Sequence, residues 1–464
     1  MFVRTRLSIM MFLQFFVWGA FFVTMGTYLG VIFAEYEEKG ELNSIIGGAY
    51  ATQTWAAVFA PFIVGFVADR LFNKEVVNAV LQILGGIILW WCSGITDSPD
   101  KFFWGMLAFF LCYMPTLALV NAITFQNVDS IEREFPKIRV WGTIGWIVSG
   151  LVVSQSLFGL FNIPVLPSLL TEFASVAKVP IADGLIDPET GVLAAAKTSL
   201  PLKLAAVVSI IYGLYSFTLP SSPPQGRDEP ISISRVLGLD AVTLFKNPNY
   251  AVFALCSFLI CIPLAFYYAR TNEFVSLMKF GDSSAGVMAL GQVSEIFFMA
   301  LVPFFLLRLG VKWMLLVGML AWALRYALFG LMPSSSGMLV LGIVLHGICY
   351  DFFFVTGQLY TDRVAPKAVR TSAQALLGLL TYGAGMLVGN YVLGYWGDTI
   401  GLDPTTKEGW TEDARQFWLM PAGLAAGVAV LFFLTFWDKS SAAKGGTEEE
   451  TVPDPAGDPI GEPA

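Results

Sequence analysis

Long apolar runs recur along this 464-residue chain, at a length that soluble folds do not use. A helix needs about 20 apolar residues to cross the hydrocarbon core of a bilayer. Runs of that order lie near 7–33, 44–68, 76–95, 102–125, 138–161 and 201–220. Six more follow near 249–278, 284–308, 312–332, 337–362, 371–396 and 415–437. The pattern predicts an all-α polytopic membrane protein with about twelve transmembrane helices. Charge agrees with it. Only 13% of residues are charged, against about 25% in soluble domains, which is too few to coat a water-facing surface of this size. The 39 Phe and 13 Trp suit helices whose outer faces meet lipid tails and headgroups. The opening run is far longer than the ~7–15-residue core of a signal peptide, so it reads as the first span.

A polar stretch at 221–248, rich in Pro and charge, divides the runs into two sets of six. The expected organisation is an N-terminal six-helix bundle at 1–220, with an outer loop at about 162–200, and a C-terminal bundle at 249–438. The linker is expected to be cytoplasmic. Residues 439–464 are acidic and poor in apolar side chains, so they read as a disordered cytoplasmic tail. That tail accounts for much of the net charge of −8, which therefore points to no polyanionic partner. With the first residues inside, most of the 27 Lys and Arg fall on inner segments, so both termini are predicted to be cytoplasmic. Cys92, Cys112, Cys256, Cys261 and Cys349 sit in or beside apolar runs with no C-x-x-C pair, and read as small buried residues.

Two equal sets of spans around a polar linker suggest a duplicated transporter. Between the second and third runs lies Gly65-Phe-Val-Ala-Asp69-Arg70-Leu-Phe-Asn-Lys74. At the matching place in the second set lie Arg308 and Lys312, offset like Arg70 and Lys74. The first segment resembles the G-x-x-x-D-R-x-x-x-K/R loop of the major facilitator superfamily, in which Asp and Arg hold the inward gate shut in one state. The resemblance implies the major facilitator fold.

Ionisable side chains at membrane depth cost at least ~2.5–3.5 kcal/mol on insertion scales and persist mostly where they line a cavity. The eighth run carries Gln292 and Glu295, which share a helix face at i, i+3. A carboxyl among apolar neighbours suits a proton carrier; the bland alternative is a permanently paired structural carboxylate. In the tenth run His346, Tyr350 and Phe354 form a stripe, with Asp351 one step round. His346, the single histidine, suits a packed hydrogen-bonding role as well as a functional one, whereas an unpaired Asp351 is harder to tolerate as structure. Arg139, Thr143 and Trp146 in the fifth run put a cation, a hydroxyl and an indole on one face, a surface for a polar, ring-containing solute. Position alone would make Arg139 a marker of the inner helix end. Arg270 and Glu273, at i, i+3, are expected to pair as outer gate or structure, and Arg325 to be structural. No Walker A sequence, metal-ligand cluster, nucleophile–base pair or nucleic-acid motif appears, so no cofactor or enzymatic role is expected, and an ion gradient is the plausible energy source.

Further motifs run through nearly the whole membrane region: Gln14-Phe-Phe-Val-Trp18-Gly, Tyr113-Met-Pro-Thr-Leu-Ala-Leu-Val-Asn121, Phe135-Pro-Lys-Ile-Arg139-Val-Trp-Gly-Thr143-Ile-Gly145, Leu237-Gly-Leu-Asp240-Ala, Gln292-Val-Ser-Glu295, Tyr350-Asp351-Phe-Phe and Arg370-Thr-Ser-Ala-Gln374. With these the chain resembles the nucleoside:proton symporters of the major facilitator superfamily, the bacterial nucleoside permeases. The resemblance implies a proton-coupled nucleoside importer of the bacterial inner membrane, working by alternating access without a cofactor; a monomer is the expected state. It implies substrate or proton roles for Arg139, Thr143, Gln292, Glu295, Tyr350 and Asp351, and so lifts Arg139 above a topology marker. The expected site therefore comprises Arg139, Thr143, Trp146, Gln292, Glu295, His346, Tyr350 and Phe354, with Glu295 or Asp351 carrying the proton. The chain also departs from the family: Ala265 and Tyr268 stand where its best-known members have an amide pair, Trp146 replaces a Phe, and His346 replaces a Tyr. Loss of the two amides removes hydrogen-bond partners for base or ribose. It keeps open a carrier of another polar solute, such as a sugar, on the same scaffold; a solute sensor that does not transport is the more distant alternative.

Overall fold

The computed structural model describes residues 2–63, 68, 71–157, 161–164, 167–181, 185–186, 193–224 and 239–437. The apolar runs form helices, as a chain without water to satisfy its backbone must. The first span is α1 (Phe2–Phe21) continued by α2 (Met25–Ile32). Spans two to five are α3 (Leu42–Ile63), α4 (Lys74–Cys92), α5 (Pro99–Gln126) and α6 (Ile131–Ser154). A short hairpin of β1 (Ser156–Leu157) and β2 (Phe161–Pro164) and the helix α7 (Pro167–Val176) then precede the sixth span, α8 (Leu200–Ser216). The insertion between the fifth and sixth spans thus contains a short helix. Its Leu170, Ala174, Val179 and Leu193 pack with Val153 and Ala285, which seats it on both halves.

In the second half α9 (Pro248–Val275) is the seventh span, and α10 (Ser284–Leu331) holds the eighth and ninth. These two part at Gly310, whose φ of 73° is open to glycine at little cost. The tenth span is α11 (Ser336–Val344), α12 (His346–Tyr350), a π-turn at Asp351–Val355 and α13 (Thr356–Val364). The eleventh is α14 (Arg370–Gly378), a second π-turn at Leu379–Gly385 and α15 (Met386–Ile400), and the twelfth is α16 (Lys407–Thr435). Among the described residues, seven helical stretches are long and apolar enough to cross a membrane, and one of them, Pro248–Leu331, contains the seventh to ninth spans. Large apolar side chains such as Trp91, Trp104, Leu307, Tyr395 and Leu434 face outward. A belt of that kind is what a lipid-facing surface carries.

A buried polar cluster ties the first half together. Gln82 donates to Gln14 Oε1 at 3.1 Å and to Thr116 at 3.0 Å, while Ser209 donates to Gln82 Oε1 at 2.7 Å. One network therefore joins α1, α4, α5 and α8. In the second half aromatic packing does the equivalent: Tyr326 stacks on Trp418 at 5.7 Å and 7°, and Phe274 packs on Trp410 at 5.0 Å.

The halves meet where α3 packs on α15, α6 on α10 and α2 on α9. At one end polar groups close this seam. Asp398 accepts from the Asn43 and Ser44 amides, both at 3.0 Å, capping the start of α3. Arg270 bridges Glu273, at 2.9 Å, and the side chain of Asn43, while Asn272 donates to Thr27 at 3.0 Å. The expected Arg270–Glu273 pair is present and reaches across to the other half. Gly47 makes the approach possible, because a Cβ there would overlap the Asn390 carbonyl.

Of the expected gate motif, Gly65, Asp69 and Arg70 lie outside the described residues. Lys74 opens α4, is buried, and donates to the Pro223 carbonyl at 3.4 Å. The described part of the linker forms a 3-10 helix at Leu239–Lys246; residues 225–238 and the tail from 438 lie outside the description.

Candidate solute and proton site

Between the halves lies a cavity of about 680 Å³ including its open mouth. The first half lines it with Phe15, Trp18, Phe22, Gln53, Arg139, Thr143 and Trp146. From the second half come Tyr268, Gln292, Glu295, His346, Tyr350, Tyr382 and Met386. Seven of the eight expected solute-site residues therefore share one space.

The helical period explains the first-half wall. Arg139, Thr143 and Trp146 sit at successive turns of α6, and all three face the cavity. Arg139 lies well inside α6. Its guanidinium rests over the Phe15 ring at 4.1 Å and makes no hydrogen bond to a described residue, which leaves its forked donors available. Trp146 meets Trp18 edge to face at 5.5 Å, and Phe22 packs on Tyr50 at 5.1 Å and Tyr268 at 5.7 Å. These rings form an aromatic wall on which a flat base can lie.

The opposite wall carries the carboxyl. Gln292 is buried on α10, and one turn on the Glu295 carboxylate faces His346, Oε2 to Nε2, at 4.0 Å. That separation exceeds a hydrogen bond, so the two groups do not satisfy each other directly. His346 is buried and stacks on Tyr267 at 5.1 Å and 16°. The Tyr382 hydroxyl donates to that of Tyr350 at 2.8 Å, fixing the two phenols side by side.

Two expected residues stand outside this lining. Phe354 lies one layer behind, stacked on Tyr382 at 5.4 Å and against Tyr350 at 5.2 Å. It supports the wall and is not part of the cavity surface. Asp351 begins the π-turn, is fully buried, and neither carboxyl oxygen has a hydrogen-bond partner among the described residues. Trp18, Gln53, Tyr382 and Met386 line the cavity without having been singled out for it. Gln53 is a polar residue deep in an apolar run, the same signal that marks Gln292.

Comparison with known proteins bears on this geometry. The family model described as Nucleoside H+ symporter matches residues 1–178 and 185–441. The chain is 37% identical over 435 residues to the protein YegT of Escherichia coli, covering 93% of each chain. It is 30% identical to the xanthosine permease of the same organism, over 94% of this chain and 96% of that one. The solved structure of the nucleoside transporter NupG superposes with a TM-score of 0.76 at 30% identity, over 95% of this chain and 100% of that one. The POT family transporter PepTSo, at 14% identity and a TM-score of 0.64, shares the fold.

Proposed function

Because this chain belongs to the nucleoside H+ symporter family and is a proton-coupled nucleoside importer, we propose that it seats its nucleoside between the Arg139 face of one half and the Glu295 face of the other. The observation that carries this reading is that a donor-only guanidinium and a carboxyl, contributed by different halves, line one cavity. Arg139, Thr143, Gln53 and Gln292 supply hydrogen bonds to ribose and base, and Trp18, Trp146 and Tyr350 supply stacking surface. Glu295 carries the proton where the solute binds. Asp351, sealed from the cavity, is the second carboxyl for it.

The protein is a multi-pass inner-membrane transporter. In the proposal, residues 1–220 and 249–438 are the two bundles that rock against each other about the site. Both termini face the cytoplasm, by the distribution of Lys and Arg, and the protein acts as a monomer with no catalytic step of its own. The polar seam formed by Asn43, Arg270, Asn272 and Asp398 is then the outer closure, and the open mouth faces inward.

Uptake of labelled uridine and xanthosine into proteoliposomes, with and without an inward proton gradient, tests this reading. Accumulation that follows the gradient and is lost in Arg139→Ala supports it. Gradient-driven uptake unchanged in both Glu295→Gln and Asp351→Asn would remove the proton assignment, and uptake of neither nucleoside while a labelled sugar accumulates would remove the solute assignment.

A further inference from the structure

We infer that Arg325 and Ser294 are positioning residues: from the ninth and eighth spans they hold a break in the tenth span, and that break sets His346 against Glu295. The inference rests on the reading of the cavity given above.

The tenth span is discontinuous at Leu345, between α11 and α12. Across this break three consecutive carbonyls accept from side chains of other spans. Arg325 donates from Nε to the Gly342 carbonyl at 2.7 Å and from Nη2 to that of Ile343 at 3.3 Å. Ser294 donates to the Val344 carbonyl at 2.5 Å and accepts from the Gly347 amide at 3.2 Å. Backbone groups exposed by a broken helix in a membrane need such partners. Gly347 completes the arrangement, because a Cβ there would overlap Ser294.

Each clamp residue also touches the site by a second route. The Arg325 guanidinium lies over the Tyr267 ring at 4.0 Å, and Tyr267 is the ring on which His346 stacks. Ser294 precedes Glu295 in the chain, so one turn of α10 both grips the break and presents the carboxyl that His346 faces. Arg325 is fully buried and has no carboxylate partner among the described residues. Packing alone does not require a guanidinium there, since a buried charge carries a desolvation penalty that an apolar side chain of similar size avoids.

The chain has a single histidine, so protein purified without a histidine tag gives imidazole NMR signals from His346 alone. Ser294→Ala and Arg325→Lys should shift those signals, and Ser294→Thr, which keeps the hydroxyl, should leave them near their native positions. This arm needs no solute, so it stands apart from the nucleoside assignment. In proteoliposomes Ser294→Ala should raise KM for uridine by roughly 5-fold, the worth of about one hydrogen bond, with kcat little changed. The same substitution made in a His346→Ala background should add nothing, because Ser294 acts through His346. An unmoved imidazole signal, an unchanged KM, or an equal rise in KM with and without His346 would overturn the inference. Arg325→Met is the harsher variant; if it fails to fold, the Ser294 series still decides.

Discussion

Lys74 and Lys312 hold equivalent places in the two halves of the chain. Each stands near the start of its half's third span and donates to a carbonyl in the last turn of its half's last span or just past it: Phe433 at 3.0 Å for Lys312 and Pro223 at 3.4 Å for Lys74. The repeat visible in the spacing of the cationic residues is thus also a repeat of hydrogen bonds. Lys74→Met and Lys312→Met should each lower thermal stability in detergent, by on the order of 1 kcal/mol, and leave KM for nucleoside unchanged. A large change in KM would show that these contacts report to the cavity.

Arg139 is the sharper case. Its guanidinium meets the Phe15 ring and has no hydrogen-bond partner among the described residues, so a bound solute is the natural acceptor. Removing a charged hydrogen bond costs about 1.5–3 kcal/mol, hence Arg139→Ala should weaken nucleoside binding by roughly 10–150-fold. Arg139→Lys should restore little, because an ammonium cannot offer the planar fork. Isothermal titration of the purified variants measures both.

Glu295→Gln should separate transport from coupling. The amide keeps the size and polarity of the side chain but cannot take up the proton. Wild-type uptake should rise as the outer solution is acidified, and the variant should lose that response while retaining nucleoside exchange between preloaded vesicles and medium. Asp351→Asn is the companion measurement: a pH response retained there and lost in Glu295→Gln assigns the proton to the cavity carboxyl.

Gly47 tests the closure between halves. A valine at this position would overlap the Asn390 carbonyl, and that clash can be relieved by parting α3 from α15 without disturbing either bundle. Gly47→Val should abolish net transport, preserve folding by thermal shift, and expose Thr27→Cys to an impermeant maleimide. Normal uptake by Gly47→Val would mean that this seam does not need to close.

The spans were legible because apolar length is a property of the chain itself. Arg139, Thr143 and Trp146 were legible as one face because the helical period alone brings them together, and Gln292 with Glu295 for the same reason. Which wall faces which was not, since that is decided by packing between α6 and α10, far apart in sequence. Trp18 and Tyr382 were hidden among many aromatic residues that also suit lipid contact. Phe354 was placed on the cavity by an unbroken helical stripe, but the π-turn at Asp351–Val355 changes the period beneath it, and the ring falls one layer behind. The break at Leu345 has no local signature such as proline; Arg325 and Ser294, on other spans, are what answer its carbonyls.

The two walls of the cavity divide labour by ancestry. The half that contributes Arg139 offers the lining no carboxyl, and the half that contributes Glu295 offers it no guanidinium. Among the described residues, Arg139 and Glu295 make no hydrogen bond to each other. On the proposed reading the cargo is a second bridge between the halves, beside the polar seam that joins them without it: seated in the cavity, it takes hydrogen bonds from the Arg139 wall while the Glu295 wall takes the proton.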